Sequence, residues 1–143
     1  MTCDELMKRK VLAVNETHTV QRAAEIMAEG QVGFLPVCNE RGRAIGAITD
    51  RDITIRVVAR GRSPATTTVG EVMTREVVSS RARDDLAVAE QLMAQHHKSR
   101  IVITDENGHL RGVISLSDIA QRDGGRRASI TLRHIAVREA RGG

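Results

Sequence analysis

Apolar positions in this 143-residue chain recur at helical spacing in two separate stretches. Thr19 and Asp85 are residue types that cap helix N-termini, and apolar residues follow each of them on one helical face. These apolar residues are Val20, Ala23, Ala24 and Met27 in the first stretch, and Leu86, Ala89, Leu92 and Met93 in the second. Each stretch therefore predicts a helix with one buried face.

Extended apolar runs flank both predicted helices. One short run precedes each helix, at residues 11–14 and 77–79, and two longer runs follow it. The longer runs are FLPVC and AIGAIT in the first stretch, and RIVIT and LRGVIS in the second. Their connections, NERGR and DENGH, hold the Asn, Asp and Gly that tight turns select, so each pair predicts a β-hairpin. A second helix should follow each hairpin, through Ile53, Val57 and Val58 in one stretch and Ile119 in the other.

The two stretches are copies of one unit. A shift of 66 residues without gaps aligns residues 2–56 with residues 68–122, and fifteen of the fifty-five pairs are identical. Among them are Gly46 with Gly112 and Asp52 with Asp118. An internal repeat of this kind decides the architecture. We predict an α/β (α+β) fold in which strand, helix, strand, strand and helix occur twice.

The repeat also divides the chain. We expect a first repeat with an N-terminal segment at residues 1–60, a linker at 61–67, a second repeat at 68–123 and a basic tail at 124–143. The linker lies in the stretch RGRSPATTT, whose residue types favour loops. A unit of about 60 residues is marginally stable alone, so the halves should pack around a pseudo-twofold axis.

Charge and cysteine content narrow the class of protein. The net charge is +4, and the tail carries all of it, with five arginines against one glutamate. Phe34 is the single aromatic residue, so stacking on nucleic-acid bases is not expected, and the tail is predicted to be a frayed terminus. Two cysteines without a CxxC pair, a charged start and no long apolar run predict a reduced, cytoplasmic protein that does not cross a membrane.

Catalytic and metal-binding arrangements are not expected. The sequence lacks a P-loop and a Cys/His or Ser/His/Asp arrangement, so we predict that the protein is not an enzyme and needs no cofactor. His96 and His97 are adjacent and should point to opposite sides. A shared metal would need a third ligand such as Cys38, and we predict no metal site.

Two hydroxyl-aspartate pairs follow the hairpins, Thr49 with Asp52 and Ser115 with Asp118. Either pair can be a capping box, in which the hydroxyl and the carboxylate satisfy backbone N–H groups at a helix start. The alternative is a ligand site. A glycine three residues earlier lets another group approach, the helix N-terminus favours an anion, and a carboxylate accepts from a diol such as ribose. The spacing alone leaves both interpretations open.

The repeat, the glycine and the motifs ITDRDI and ISLSDI resemble tandem cystathionine-β-synthase (CBS) domains, the pair called a Bateman module. The likeness covers residues 2–122. The short chain resembles stand-alone bacterial CBS proteins of the hypoxic-response type, and the second repeat is similar to a nucleotide-binding repeat of the gamma subunit of AMP-activated kinase. The resemblance implies that AMP, ADP, ATP or S-adenosylmethionine binds in the cleft between repeats, and that modules pair as homodimers.

Site residues carried over from that family match the second repeat better. Ser79, Arg100, Ser115 and Asp118 stand where the family places a hydroxyl, a phosphate-binding cation and its motif. The first repeat has Ala13 and Phe34 at the first two of these positions, which leaves Thr49, Arg51 and Asp52. We expect unequal sites, with the Asp118 site preferring phosphorylated ligands.

The resulting hypothesis is a regulatory module that binds an adenine nucleotide and signals to an unidentified protein partner by conformational change. The alternative is a non-catalytic interaction or stress-response protein with vestigial pockets, acting through its dimer surface or Arg-rich tail. DNA binding through the tail is a third possibility that would depend on salt.

Overall fold

The computed structural model describes residues 1–123 and 126–140, and its strands form two three-stranded sheets. The strands are β1 (Val14–Asn15), β2 (Phe34–Cys38), β3 (Ala44–Thr49), β4 (Ser79–Arg81), β5 (Arg100–Thr104) and β6 (Leu110–Ser115). The helices are α1 (Cys3–Leu6), α2 (Val20–Gly30), α3 (Asp50–Ile53), α4 (Val69–Val72), α5 (Leu86–His96), α6 (Leu116–Asp123) and α7 (Arg126–Ala140). A π-helical segment, Thr54–Val58, continues α3.

Both sheets have the same topology, which confirms the predicted repeat and hairpins. The strand orders are β1-β2-β3 and β4-β5-β6, with the first pair of each sheet parallel and the second antiparallel. Gly42 and Gly108 adopt positive φ angles of 76° and 83° in the hairpin turns, where a side chain would be strained. The four long extended runs form β2, β3, β5 and β6 over the residues predicted.

The short leading strands were predicted too early in the chain. β1 begins at Val14 and pairs with Val37, and β4 begins at Ser79 and pairs with Val102. Val78 lies just before β4, and its carbonyl still accepts a hydrogen bond from the Val102 N–H at 3.2 Å.

The predicted helix faces are confirmed. Thr19 accepts a hydrogen bond from the Arg22 N–H, and Asp85 accepts one from the Ala87 N–H, so both residues cap their helices. Val20, Ala23 and Met27 of α2 are buried, as are Leu86, Ala89 and Met93 of α5.

The chain folds as two compact units that do not coincide with the two repeats. The Asp52 unit consists of Leu12–Val77, and the Asp118 unit consists of Met1–Val11 together with Val78–Gly143. The segments that precede β1 and β4, the leading strands of the two sheets, therefore each pack with the sheet of the other repeat. Cys3 and Met7 belong to the core around β5 and β6, and Val69, Val72 and Met73 belong to the core around β2 and β3.

The tail differs from the predicted frayed terminus. Residues 126–140 form α7, which packs against α5 and α6 in the Asp118 unit. Thr131 and Ile135 lie one helical turn apart on α7 and are both buried, the first a polar and the second an apolar side chain. The His134 carbonyl also lies 2.7 Å from His97 Nδ1. Residues 124, 125 and 141–143, Arg141 included, lie outside the described residues.

Candidate functional site

Both hydroxyl-aspartate pairs form capping boxes. The Asp52 N–H donates to Thr49 Oγ1 at 3.1 Å, and the Thr49 N–H donates to Asp52 Oδ2 at 3.0 Å. In the second repeat the Asp118 N–H donates to Ser115 Oγ at 3.1 Å, and the Ser115 N–H donates to Asp118 Oδ2 at 2.8 Å. Each cap uses one carboxylate oxygen, Oδ2, and leaves Oδ1 to other partners.

Burial distinguishes these pairs from the two other capping boxes of the chain. Glu5 and Glu71 complete the boxes that begin α1 and α4, and both glutamates are exposed. Asp118 is only 8% exposed, and the Asp52 side chain is 15% exposed. A carboxylate is costly to remove from water, so an acidic side chain this recessed differs from an ordinary surface cap.

The glycine before each motif makes room for backbone of the same unit. A Cβ on Gly112 would lie 2.7 Å from the Lys8 carbonyl oxygen and 2.8 Å from Met7 Sδ, and a Cβ on Gly46 would overlap the Thr74 carbonyl oxygen. The prediction that another group approaches these glycines is confirmed, and that group is the segment crossing the strand. Closeness to the glycine is therefore explained without a ligand.

The sheet of the Asp118 unit brings three predicted site residues to one end of its strands. Arg100 begins β5, whereas Ser79 on the parallel strand β4 is the register partner of Val102, two residues further along β5. β6 runs in the opposite direction, and its last residue, Ser115, is the register partner of Arg100. Asp118 follows in the first turn of α6. Arg100, Ser115 and Asp118 thus gather where β6 passes into α6, and Ser79 lies on the other side of β5, opposite Val102.

The Asp52 unit has a different side chain at the matching edge. Phe34 is the register partner of Thr49, in the position that Arg100 occupies opposite Ser115. Arg51 lies in α3 and is exposed, and its N–H donates to Asp50 Oδ1 at 2.9 Å. The geometry brings Thr49 and Asp52 together in the cap, and the hydrogen bond described for Arg51 is made by its main chain and not by its guanidinium.

Two cations that the sequence analysis did not select contact the motif aspartates. Lys8 Nζ lies 3.2 Å from Asp118 Oδ1, and Arg56 Nη2 lies 3.6 Å from Asp52 Oδ1. The Arg56 guanidinium also donates to the Val72 carbonyl at 2.8 Å. Arg56 is identical to its repeat partner Arg122, and this identity was a sequence signal that could have pointed to Arg56. Nothing comparable marked Lys8, because its repeat partner is Thr74.

An open groove of about 580 Å³ lies elsewhere in the Asp118 unit, between α5 and α7. Glu90, Ile130 and His134 are among its lining residues, and none of the seven predicted site residues is. Among the side chains that the structure describes, His, Cys, Asp and Glu form no group of three that could hold a metal. None of the described helices is both long enough and apolar enough to span a bilayer.

Comparison with known proteins identifies both repeats. The family model of the CBS domain matches residues 3–59 and 69–125. The CBS domain-containing protein YhcV of Bacillus subtilis is 42% identical over 116 residues, which span 81% of each chain. Hypoxic response protein 1 of Mycobacterium tuberculosis is 32% identical over 120 residues, 84% of this chain and 83% of that one.

Solved structures share the fold. A crystal structure of the hypoxic response protein with two coordinated zinc ions has a TM-score of 0.78 and covers 85% of this chain and 98% of its own. A CBS domain protein of Pyrobaculum aerophilum complexed with AMP has a TM-score of 0.77, with coverage of 93% and 98%, and its 24% identity supports a shared fold alone.

A gamma subunit of AMP-activated kinase is also similar to this chain, over a stretch too long to lie within one repeat. The gamma-3 subunit of the 5′-AMP-activated protein kinase of Bos taurus is 31% identical over 119 residues, which span 79% of this chain and 24% of that subunit. Repeat, topology, motif positions and family match agree, and the chain belongs to the family of tandem CBS-domain proteins.

Proposed function

We propose that this protein is a regulatory module that binds an adenosine-containing ligand, namely AMP, ADP, ATP or S-adenosylmethionine, and signals by a shift between conformations. The observation that carries the proposal is the recessed Asp118, whose Oδ1 takes no part in its capping box. The protein acts in the cytoplasm as a homodimer and passes the signal to a protein partner still to be identified.

Asp118 suits a ribose because an ionised carboxylate only accepts hydrogen bonds. Its Oδ2 is held by the Ser115 N–H at 2.8 Å, which fixes the orientation of the carboxylate. Oδ1 then presents an acceptor in a defined direction. The contact that Oδ1 already makes is to Lys8, a side chain that is 74% exposed and able to reorient when a hydroxyl arrives.

The surroundings of Ser115 suit a phosphate. Ser115 Oγ accepts from the Asp118 N–H and lies 3.3 Å from Ser117 Oγ, an exposed partner that a ligand oxygen can replace as acceptor of the hydroxyl proton. Arg100 is its register partner on β5 and brings a guanidinium group to the same strand end. Ser79 is the register partner of Val102, two residues along β5 from Arg100, and is proposed to offer the same ligand a second hydroxyl. Together they favour an anion beside the diol acceptor.

The Asp52 site is proposed to be weaker, or suited to a less charged adenosine compound. Phe34 stands where Arg100 would be, so the phosphate cation is missing from that strand position. Arg56 contacts Asp52 and is also tied to the Val72 carbonyl, so a ligand hydroxyl must compete with a cation that is held in place. Arg51 is the charge that remains near Thr49.

Relatives support an adenosine ligand in two ways. The same fold holds AMP in the protein of Pyrobaculum aerophilum. The printed name of a 31% identical relative, the gamma-3 subunit, connects that subunit to an AMP-activated kinase. Neither protein decides between AMP, ADP, ATP and S-adenosylmethionine for this chain.

Thermal denaturation with each adenine compound tests the proposal. Ligand at about 100 times its dissociation constant adds roughly 2.7 kcal/mol, which raises the midpoint of a domain of this size by about 5–10 °C. Absence of a shift with every compound would contradict the proposal and favour an interaction protein with vestigial pockets.

Calorimetry then locates the site. Asp118→Ala and Arg100→Ala should each weaken AMP binding, and Arg100→Ala should affect adenosine less than AMP. Glu5→Ala is the matched control, because it removes an exposed capping-box carboxylate from the same unit. Undiminished AMP affinity in both test variants would reject the assignment.

A further inference from the structure

Lys8 contributes a hydrogen-bond donor directly beside the acceptor that we assign to the ribose. Its Nζ lies 3.2 Å from Asp118 Oδ1. We propose that Lys8 is a specificity-determining residue of the Asp118 site, and that its ammonium group donates to the ligand hydroxyl that donates to Asp118 Oδ1. This inference rests on the proposed function, because it concerns recognition of the same ligand.

The position of Lys8 is fixed by its backbone. Its N–H donates to the Val113 carbonyl at 3.0 Å, and its own carbonyl accepts from the Val113 N–H at 3.2 Å. Gly112 allows this crossing because it has no side chain. The start of the Lys8 side chain is therefore anchored on β6, two residues before Ser115, while its ammonium end remains exposed.

The first repeat shows what the same position does without a charge. Thr74 is the repeat partner of Lys8, and it exchanges the same two backbone hydrogen bonds with Ala47, at 3.0 and 2.9 Å. The backbone role is thus met by a threonine. An ammonium group is not needed for the crossing, so the lysine supplies something beyond the fold.

The cation beside Asp52 is bound differently. Arg56 donates to the Val72 carbonyl at 2.8 Å and to Thr74 Oγ1 at 3.3 Å while it contacts Asp52. Three groups therefore hold the Arg56 guanidinium. The polar contact described for the Lys8 ammonium group is Asp118, and the Lys8 side chain is 74% exposed. Only the lysine end of this ion pair is exposed, so the ammonium group can reorient when a ligand arrives while Asp118 stays in place.

A hydroxyl group matches the pair that Lys8 and Asp118 form. The carboxylate only accepts and the ammonium only donates, whereas a hydroxyl donates one hydrogen bond and accepts others. A ribose hydroxyl at this point donates to Asp118 Oδ1 and accepts from Lys8 Nζ. A ligand that lacks its ribose hydroxyls would leave both groups without this bridge, and that difference is the specificity we assign to Lys8.

Titration calorimetry of Lys8→Met with four ligands tests the inference. Methionine keeps the apolar stem and removes the donors. The ligands are AMP, adenosine and the 2′,3′-dideoxy form of each. We expect the dissociation constants of AMP and adenosine to rise about fivefold, equivalent to about 1 kcal/mol, while those of the dideoxy ligands change little.

Two further variants control for charge and structure. Lys10→Met removes the same charge from an exposed position two residues away and should leave all four affinities unchanged. Lys8→Arg retains a cationic donor and should restore at least half of the lost discrimination. Circular dichroism melting curves of the variants should coincide with that of the wild type.

Each other result overturns the inference in a recognisable way. A loss for AMP with unchanged adenosine would assign Lys8 to the phosphate. Equal losses for all four ligands would show a structural effect, and unchanged or tighter binding would show that Lys8 recognises nothing in the ligand. If the wild-type protein binds none of the four ligands, the proposed function fails for AMP and adenosine, and this inference fails with it.

Discussion

Replacing Gly46 by alanine tests whether the motif glycine serves the fold. The new Cβ would overlap the Thr74 carbonyl oxygen and Met73 Cε. The carbonyl belongs to backbone that cannot rotate away, because Thr74 and Ala47 exchange two hydrogen bonds of 2.9 and 3.0 Å. Relief of the overlap therefore requires the Met73–Thr74 segment to move away from β3.

The expected cost follows from these contacts. Overpacking in a well-packed core costs about 1–3 kcal/mol, and weakening two backbone hydrogen bonds adds to it, so Gly46→Ala should lower the free energy of unfolding by about 2–4 kcal/mol. For a chain of this size that corresponds to a drop of roughly 5–15 °C in the melting midpoint. Gly112→Ala should cost less, since its nearest contacts would be 2.7 and 2.8 Å.

Urea denaturation followed by far-ultraviolet circular dichroism measures this cost, because the chain has no tryptophan or tyrosine to serve as a fluorescent probe. Gly33→Ala is the matched control in the same unit. Its Cβ would meet Asp50 Oδ2 at 2.7 Å, and that exposed side chain can rotate away. The control should change stability by less than about 0.5 kcal/mol. Equal effects of Gly46→Ala and Gly33→Ala would refute the reasoning.

Three more predictions concern stability and reactivity in the Asp118 unit. The pKa of Asp84 is lowered, chiefly by the hydrogen bond from the Arg81 N–H, so this carboxylate stabilises the fold above its unfolded pKa and that contribution is lost as the pH falls through the lower folded value. Asp84→Asn should therefore flatten the dependence of the melting midpoint on pH below about 4, and an unchanged slope would contradict this. Burial raises the pKa of the Cys3 thiol, so iodoacetamide at neutral pH should modify Cys3 only after unfolding, as peptide mass spectrometry would show. Ile135→Ala should lower the free energy of unfolding by about 2 kcal/mol, whereas Ile130→Ala, at a position 58% exposed instead of 6%, should change it by less than about 0.5 kcal/mol in the same urea titration.

Local signals in the sequence predicted most of the secondary structure. The caps at Thr19 and Asp85, the turn residues of both hairpins and the helical spacing of α2 and α5 depend on neighbours a few residues away, so one sequence suffices to read them. The helix formed by the basic tail was harder to predict from the sequence. Thr131 and Ile135 are buried in α7, and one threonine and one isoleucine among arginines did not indicate a packed helix.

The exchange of leading segments between repeats was beyond sequence reasoning. The two copies share their pattern, so nothing in the chain says which sheet Met7 or Met73 joins. Lys8 was missed for the same reason, because its contact with Asp118 links residues 110 positions apart. The sequence located both motif pairs and left open whether each was a capping box or a ligand site. The structure establishes the cap, and the ligand stays a prediction.

A crystal structure of the protein grown with AMP would test the central claim most directly. We expect a ribose hydroxyl within about 2.6–3.2 Å of Asp118 Oδ1, while Oδ2 still accepts from the Ser115 N–H. The account would be contradicted by AMP bound with its ribose away from Asp118. It would also be contradicted by crystals that contain no AMP although they were grown with AMP at saturating concentration.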